Sequence, residues 1–235
     1  PDSLVFLAQK ILEVKPRDLV ADIGCGWGTF LIASSLSEPN AQYYGYEVNA
    51  ANKVIASIRA ELIDCDMQIQ LIDAFSLLEQ DDSRLNYFDK VFSNYPFGLR
   101  LRNLGIGAKY LESLTEKYPG LSKATSSDWI FNALLYNLLN KNGKAVGIMT
   151  NGSTWNSIDT PMRKYFLEQG MVECVISLPS RMFSETNIAT SMIILSHGNK
   201  SVRIIDATKI CQQGRRSNEF NKEDIAQITK AMFTD

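Results

Sequence analysis

Apolar and polar positions along this chain follow two rhythms in turn, one of helices and one of strands. Apolar residues at 4, 7, 8, 11 and 12 recur with the spacing of an amphipathic helix over 3–14. Short runs rich in β-branched and aromatic residues predict strands over 19–23, 43–48, 67–72, 88–93, 144–149, 172–178 and 190–196, with a further short one over 202–206. Helical periodicity predicts helices over 28–36, 50–63, 128–139, 160–169 and 222–233. Asn142-Gly143 reads as the stop of the helix over 128–139. Pro161 in the first turn and Gly170 just past the end bound the helix over 160–169. Residues 98–126 carry no sheet signal and hold four glycines and a proline, so they read as a long loop with some helix. The alternation predicts an α/β fold, a mostly parallel sheet with helices on both faces, in a single domain over 1–235.

Composition narrows the picture. The chain has 235 residues, 45% of them hydrophobic, enough for a sizeable core. A net charge of −2 excludes a uniformly basic nucleic-acid binder, so any phosphate contacts come from a local patch or another subunit. The longest apolar runs are strand-sized, and no transmembrane helix or signal peptide is expected. The four cysteines, Cys25, Cys65, Cys174 and Cys211, are far apart and form no C-x-x-C pair. Reduced thiols, a cytoplasmic setting and no metal site are therefore expected. The single histidine, His197, is assigned no chemistry.

The candidate chemistry begins at residues 19–28, Leu-Val-Ala-Asp-Ile-Gly-Cys-Gly-Trp-Gly. A strand ends in an acid, Gly24, Gly26 and Gly28 follow at alternate positions, and a helix begins. Such a corner lets a ligand approach the backbone beside a helix N-terminus. The G-x-G-x-G spacing differs from the dinucleotide G-x-G-x-x-G and disfavours an NAD-type oxidoreductase. It resembles motif I of S-adenosylmethionine methyltransferases. Glu47 ends the second strand about 20 residues on, the place of an acid that holds both ribose hydroxyls. Asp73-Ala74-Phe75 follows the third strand, with Asp73 as acceptor for an adenine amine and Phe75 against the ring. Asp22 positions the loop or meets the cofactor's amino-acid end. Each of these acids also suits an ordinary solvated strand end.

Strand four ends in Ser93-Asn94-Tyr95-Pro96-Phe97-Gly98, facing the same crevice. Asn94–Phe97 resembles the Asn-Pro-Pro-Phe/Tyr motif IV of amino-group methyltransferases. An exocyclic adenine amine is a poor nucleophile because its lone pair is delocalised into the ring. The Asn94 side-chain oxygen and the Tyr95 carbonyl supply two acceptors for its N–H groups, which aims the lone pair at a sulfonium methyl. Pro96 stiffens the turn, and Phe97 offers a ring to a base flipped from the duplex. No cysteine lies in this loop, against the thiolate attack of cytosine-C5 chemistry. Tyr95 replaces the motif's first proline.

Beyond these motifs, residues 124–140, 143–152 and 161–195, and the tail from Ile204, resemble the modification (methylase) subunit of type I restriction–modification systems. The resemblance implies a Rossmann-like methyltransferase sheet of seven strands, one of them antiparallel, and transfer from S-adenosylmethionine to the N6 amine of adenine in DNA. S-adenosylhomocysteine is then the product, and a separate specificity subunit and a restriction subunit are the partners, in a prokaryotic cytoplasm. It also implies an N-terminal helical domain that these residues do not contain. Pro1-Asp2-Ser3 falls at the family's cofactor-contacting motif X and Asp128 at its motif V. Arg100, Arg102, Lys109 and Lys117 are candidates for phosphate contacts, while Arg215-Arg216 is a basic pair without a role. Protein-glutamine or RNA amino-group transfer, or a non-catalytic cofactor-binding subunit, remain open on motif IV alone.

Overall fold

A computed structural model of the chain describes residues 2–80, 82–98, 108–121, 125–184 and 186–234. Eight strands form one sheet: β1 (Leu19–Ile23), β2 (Gln42–Glu47), β3 (Met67–Leu71), β4 (Phe88–Asn94), β5 (Leu139–Thr150), β6 (Val172–Ser177), β7 (Thr190–Leu195) and β8 (Arg203–Asp206). Their order is β3-β2-β1-β4-β5-β7-β6-β8. All pairings are parallel except those of β7, which runs antiparallel to both β5 and β6. The mostly parallel sheet with one reversed strand is therefore present. It has eight strands rather than seven because β8 pairs alongside β6 at the edge.

The helices are α1 (Asp2–Leu12), α2 (Thr29–Ser37), α3 (Ala50–Leu62), α4 (Ala74–Gln80), α5 (Ala108–Lys117), α6 (Ser127–Leu138), α7 (Thr160–Glu168) and α8 (Lys222–Phe233). Strand alternation splits the core into two layers, since successive side chains leave a strand on opposite faces. Val20 and Phe92 pack with Leu7, Phe30 and Ile228 under α1, α2 and α8. Ala21, Ile23 and Val91 pack on the other face with Phe75, Leu134 and Phe166 from α4, α6 and α7.

Two expectations need correction. Asn142-Gly143 does not separate a helix from a strand. β5 begins at Leu139, directly after α6, and the register jumps from Phe88↔Leu139 to Lys90↔Lys144. The pair sits in a bulge that absorbs the extra residues. Helix α4 was not expected, being only seven residues long; Phe75 and Leu77 anchor it by burial. Residues 99–107, in the long loop, lie outside the described residues.

Candidate active site

The corner after β1 is built by backbone geometry. Gly24, Gly26 and Gly28 have φ of 71°, 54° and 71°, left-handed values that glycine adopts without strain. The N–H groups of Gly24 and Cys25 both donate to the Tyr46 carbonyl, at 2.8 and 3.0 Å, tying the loop to the end of β2. Glu47 continues that tie from its side chain. Its Oε2 accepts the Gly26 N–H at 2.7 Å and its Oε1 the Asn49 N–H at 2.8 Å, and it is 6% exposed. A Cβ added at Gly24 or Gly26 would meet nothing within 4 Å, so the space over the loop is open.

Asp22, the penultimate residue of β1, is 3% exposed, and its Oδ1 has no hydrogen-bond partner. Burial, and then the Glu47 charge, raise its carboxyl well above the ordinary carboxylate range. A buried acceptor without a donor is costly unless a ligand completes it. Cys25 also lines the space. Its thiol is pushed upward by burial, then by Asp22 and Glu47, so it stays protonated and is no nucleophile.

β4 brings the second motif to the same place. It pairs in parallel with β1, and the Ser93 hydroxyl donates to the Ile23 carbonyl at 2.6 Å, locking the two strand ends together. A cavity of about 220 Å³ is lined by Asp22, Gly24, Gly26, Thr29, Asn94 and Ile148 among others. The start of α1 adds Asp2, Leu4 and Val5 to its wall. Pro1 lies outside the described residues.

The remaining turn residues are held from different sides. Pro96 is exposed. Tyr95 is buried among α6 side chains. Phe97 is half-buried, with the Phe183 ring edge-on at 5.1 Å between centroids. Phe183 comes from the β6–β7 connection and was not singled out in the sequence; an aromatic after Leu178-Pro179 was the available signal.

Other predicted residues lie apart from this cavity. Gly28, Glu47, Asp73, Ala74, Phe75, Tyr95, Pro96 and Phe97 do not line it. Asp73 Oδ1 accepts the Phe75 N–H at 2.8 Å, turning the chain into α4. The Phe75 ring is 3% exposed and packs 4.8 Å from Phe131. Asp128 is buried, and its Oδ2 accepts from the Thr150 N–H, the Thr150 hydroxyl and the Ser153 hydroxyl at 2.9, 2.6 and 2.7 Å. It stitches α6 to the end of β5 rather than facing the cavity. Lys117 ends α5 with its ammonium 5.9 Å from the Tyr118 ring. Arg100, Arg102 and the Lys109 side chain lie outside the described residues. Arg215 and Arg216 are exposed, and the Arg215 carbonyl accepts from Arg181 at 3.3 Å. His197 bonds Tyr136 through Nδ1 at 2.6 Å.

The model of the N-6 DNA methylase family matches residues 1–235. The chain belongs to that family. It is 24% identical over 254 residues to the type I restriction enzyme MpnII methylase subunit of Mycoplasma pneumoniae, covering 95% of this chain and 46% of that protein. It is 25% identical over 251 residues to the HindI methylase subunit of Haemophilus influenzae, covering 99% of this chain and 54% of that one. The type I methyltransferase subunit of Streptococcus thermophilus superposes with a TM-score of 0.88 at 23% identity, over 99% of this chain and 52% of that one. The fold is thus that of class I S-adenosylmethionine-dependent methyltransferases. The chain spans about half the length of the curated relatives it matches. Among the described residues no helix is long and apolar enough to cross a membrane, and no cluster of metal-ligating side chains occurs.

Proposed function

We propose that this chain is the catalytic region of a type I modification methylase. It transfers a methyl group from S-adenosylmethionine to the N6 amine of adenine in DNA. The observation that carries this reading is the shared cavity, lined by Asp22, Gly24, Gly26 and Asn94 together. A donor held on the glycine corner and an amine held at residue 94 then face one another.

The residues present fit the cofactor. The open glycine loop admits a ligand against the backbone, and the unpartnered Asp22 Oδ1 suits its cationic amino-acid end. Bound there, S-adenosylmethionine supplies an electrophilic methyl group on sulfur and leaves as S-adenosylhomocysteine. In this reading Glu47 and the segment Asp73-Ala74-Phe75 carry its ribose and adenine ends. On the acceptor side, the Asn94 side-chain oxygen and the Tyr95 carbonyl take the two N–H groups of the target amine. That arrangement draws the nitrogen towards sp³ geometry and points its lone pair into the cavity. The Phe97 ring, braced edge-on by Phe183, stacks on the extruded base, a contact worth roughly 1–3 kcal/mol in single-strand binders.

Target choice falls to a specificity subunit, and a restriction subunit completes the assembly. The net charge of −2 agrees with a chain that shares its DNA contacts. The test is transfer of tritiated methyl from labelled S-adenosylmethionine to unmethylated DNA, by the full-length subunit with its specificity partner. Label in adenine N6, lost in Asn94→Ala, is the expected result. Cofactor binding without label in any DNA would overturn the reading.

A further inference from the structure

Tyr95 occupies the place where the motif that Asn94–Phe97 resembles has a proline, and a proline ring would fix the backbone dihedral φ at that residue. The structure shows a different restraint on the same bond. The Tyr95 N–H donates to the Ile148 carbonyl at 3.1 Å. At the far end of the side chain, the hydroxyl donates to Asn132 Oδ1 at 2.5 Å. The ring between these anchors stacks on Phe131, centroids 4.9 Å apart and planes 17° from parallel. Tyr95 is 2% exposed and Asn132 0%. Asn132 is itself steadied by Nδ2, which lies 3.7 Å from the Met149 sulfur.

The channel for this side chain is cut into β5. A Cβ at Gly147 would fall 2.7 Å from Tyr95 Cζ and nearer still to the hydroxyl. Real Cβ atoms do not approach so closely, so Gly147 is what lets the tyrosine pass. Asn132 on α6 and Gly147 on β5 are far from residue 95 in sequence, and both serve this one side chain.

We propose that Asn132 and Gly147 are positioning residues that lock Tyr95, and through it hold the residue 95 carbonyl in line with Asn94. With both the N–H and the hydroxyl anchored, rotation about the Tyr95 N–Cα bond is blocked. Pro96 restricts the neighbouring ψ, because a residue before proline is confined to extended conformations. Both dihedrals that aim the carbonyl are thereby set without a proline at 95. Burial, followed by the Asp128 charge, raises the Tyr95 phenol well above its ordinary range, so the hydroxyl remains a donor.

This inference rests on the methyl-transfer reading, in which that carbonyl accepts from the target amine. It is tested in the full-length methylase bound to its specificity subunit, by single-turnover transfer of tritiated methyl to unmethylated genomic DNA. Cofactor affinity, DNA affinity and melting temperature are measured beside it. Tyr95→Phe removes only the hydroxyl; a rate at least tenfold lower is expected, with both affinities within twofold of the native protein. Tyr95→Phe/Asn132→Leu replaces both hydrogen-bonding partners by apolar groups, which restores melting temperature while the rate stays low. Tyr95→Pro/Asn132→Leu, in which the ring fixes φ in place of the lost N–H bond to Ile148, exceeds that double variant at least fivefold in rate. If Tyr95→Phe does not fold, the two Asn132→Leu backgrounds decide by the same fivefold difference. A rate that recovers together with melting temperature in Tyr95→Phe/Asn132→Leu shows mere core filling and overturns the lock. So does native-like transfer by Tyr95→Phe. If the native complex labels no DNA at all, the transfer reading falls and the inference falls with it.

Discussion

Glu47 and Asn94 end the two strands that flank β1, yet they are used in opposite ways. Glu47 is 6% exposed and gives both carboxylate oxygens to backbone N–H groups. Asn94 is exposed and turns towards the crevice, with its support coming from residues behind it. The donor wall, in the segment 22–28, is a backbone corner closed by local hydrogen bonds, with Glu47 tying it from behind. The acceptor wall, 94–97, is a short turn braced by buried side chains from α6, β5 and the β6–β7 connection. Chemistry that needs a fixed cofactor and an incoming base fits this division. One wall is tied by its own hydrogen bonds, and the other turns Asn94 to the cavity.

The comparison breaks most sharply at Asn94. On the proposed reading Asn94→Ala removes an acceptor of the target amine, so transfer should fall by roughly 10²–10³-fold with cofactor affinity unchanged. Equal losses of both in single-turnover and calorimetric measurements would merge the two walls.

Asp22→Asn acts on the donor wall alone. Cofactor binding, followed by titration calorimetry, should weaken by about 1.5–3 kcal/mol, the range for a charged hydrogen bond. Stability of the ligand-free protein moves the other way. The Asp22 carboxyl is raised well above its ordinary value, burial being the larger cause. Between about 3.9, the unperturbed value, and that raised value, the folded protein keeps a proton that the unfolded chain has released. The unfolded state then binds fewer protons, so stability falls as pH rises through this window. Asp22→Asn should remove that slope and melt higher than the native protein at neutral pH.

Gly26→Ala tests whether the corner is set by backbone. At φ 54° an alanine costs about 1–2 kcal/mol, with open space around its Cβ, so the loss is conformational and not a clash. Denaturant melts should show it, with cofactor affinity reduced as well. The smallest effect is expected outside both walls. Ser153→Ala removes one of three donors to Asp128 and should cost about 0.5–1.5 kcal/mol of stability, with cofactor affinity untouched.

The donor wall was the more legible in sequence. Its strand, its glycines and its acid lie within 29 positions of each other, from 19 to 47, and each sits at a predicted element boundary. The acceptor turn was legible as a tetrapeptide, but what restrains it was not. Asn132 reads as one polar residue in an apolar helix, and Gly147 as a weak strand former. Neither type announces a partner, because a packing channel exists only once β5 and α6 lie against each other. The surroundings of Asp128, which falls at motif V, were illegible for a similar reason. A helix-start acid looks the same whether it faces a cavity or accepts three donors from a neighbouring turn.

Local patterning thus determined most of the order of helices and strands, the mostly parallel sheet, and the two candidate loops, while the reversed strand was implied only by the family resemblance. The patterned features follow from periodicity and from glycine and proline stereochemistry, which act over a few residues. Tertiary structure alone decided that Asp22 is left with an unpartnered oxygen and that Tyr95 is held from behind. Burial and hydrogen-bond completion are properties of what surrounds a residue, and those surroundings come from strands and helices distant in the chain.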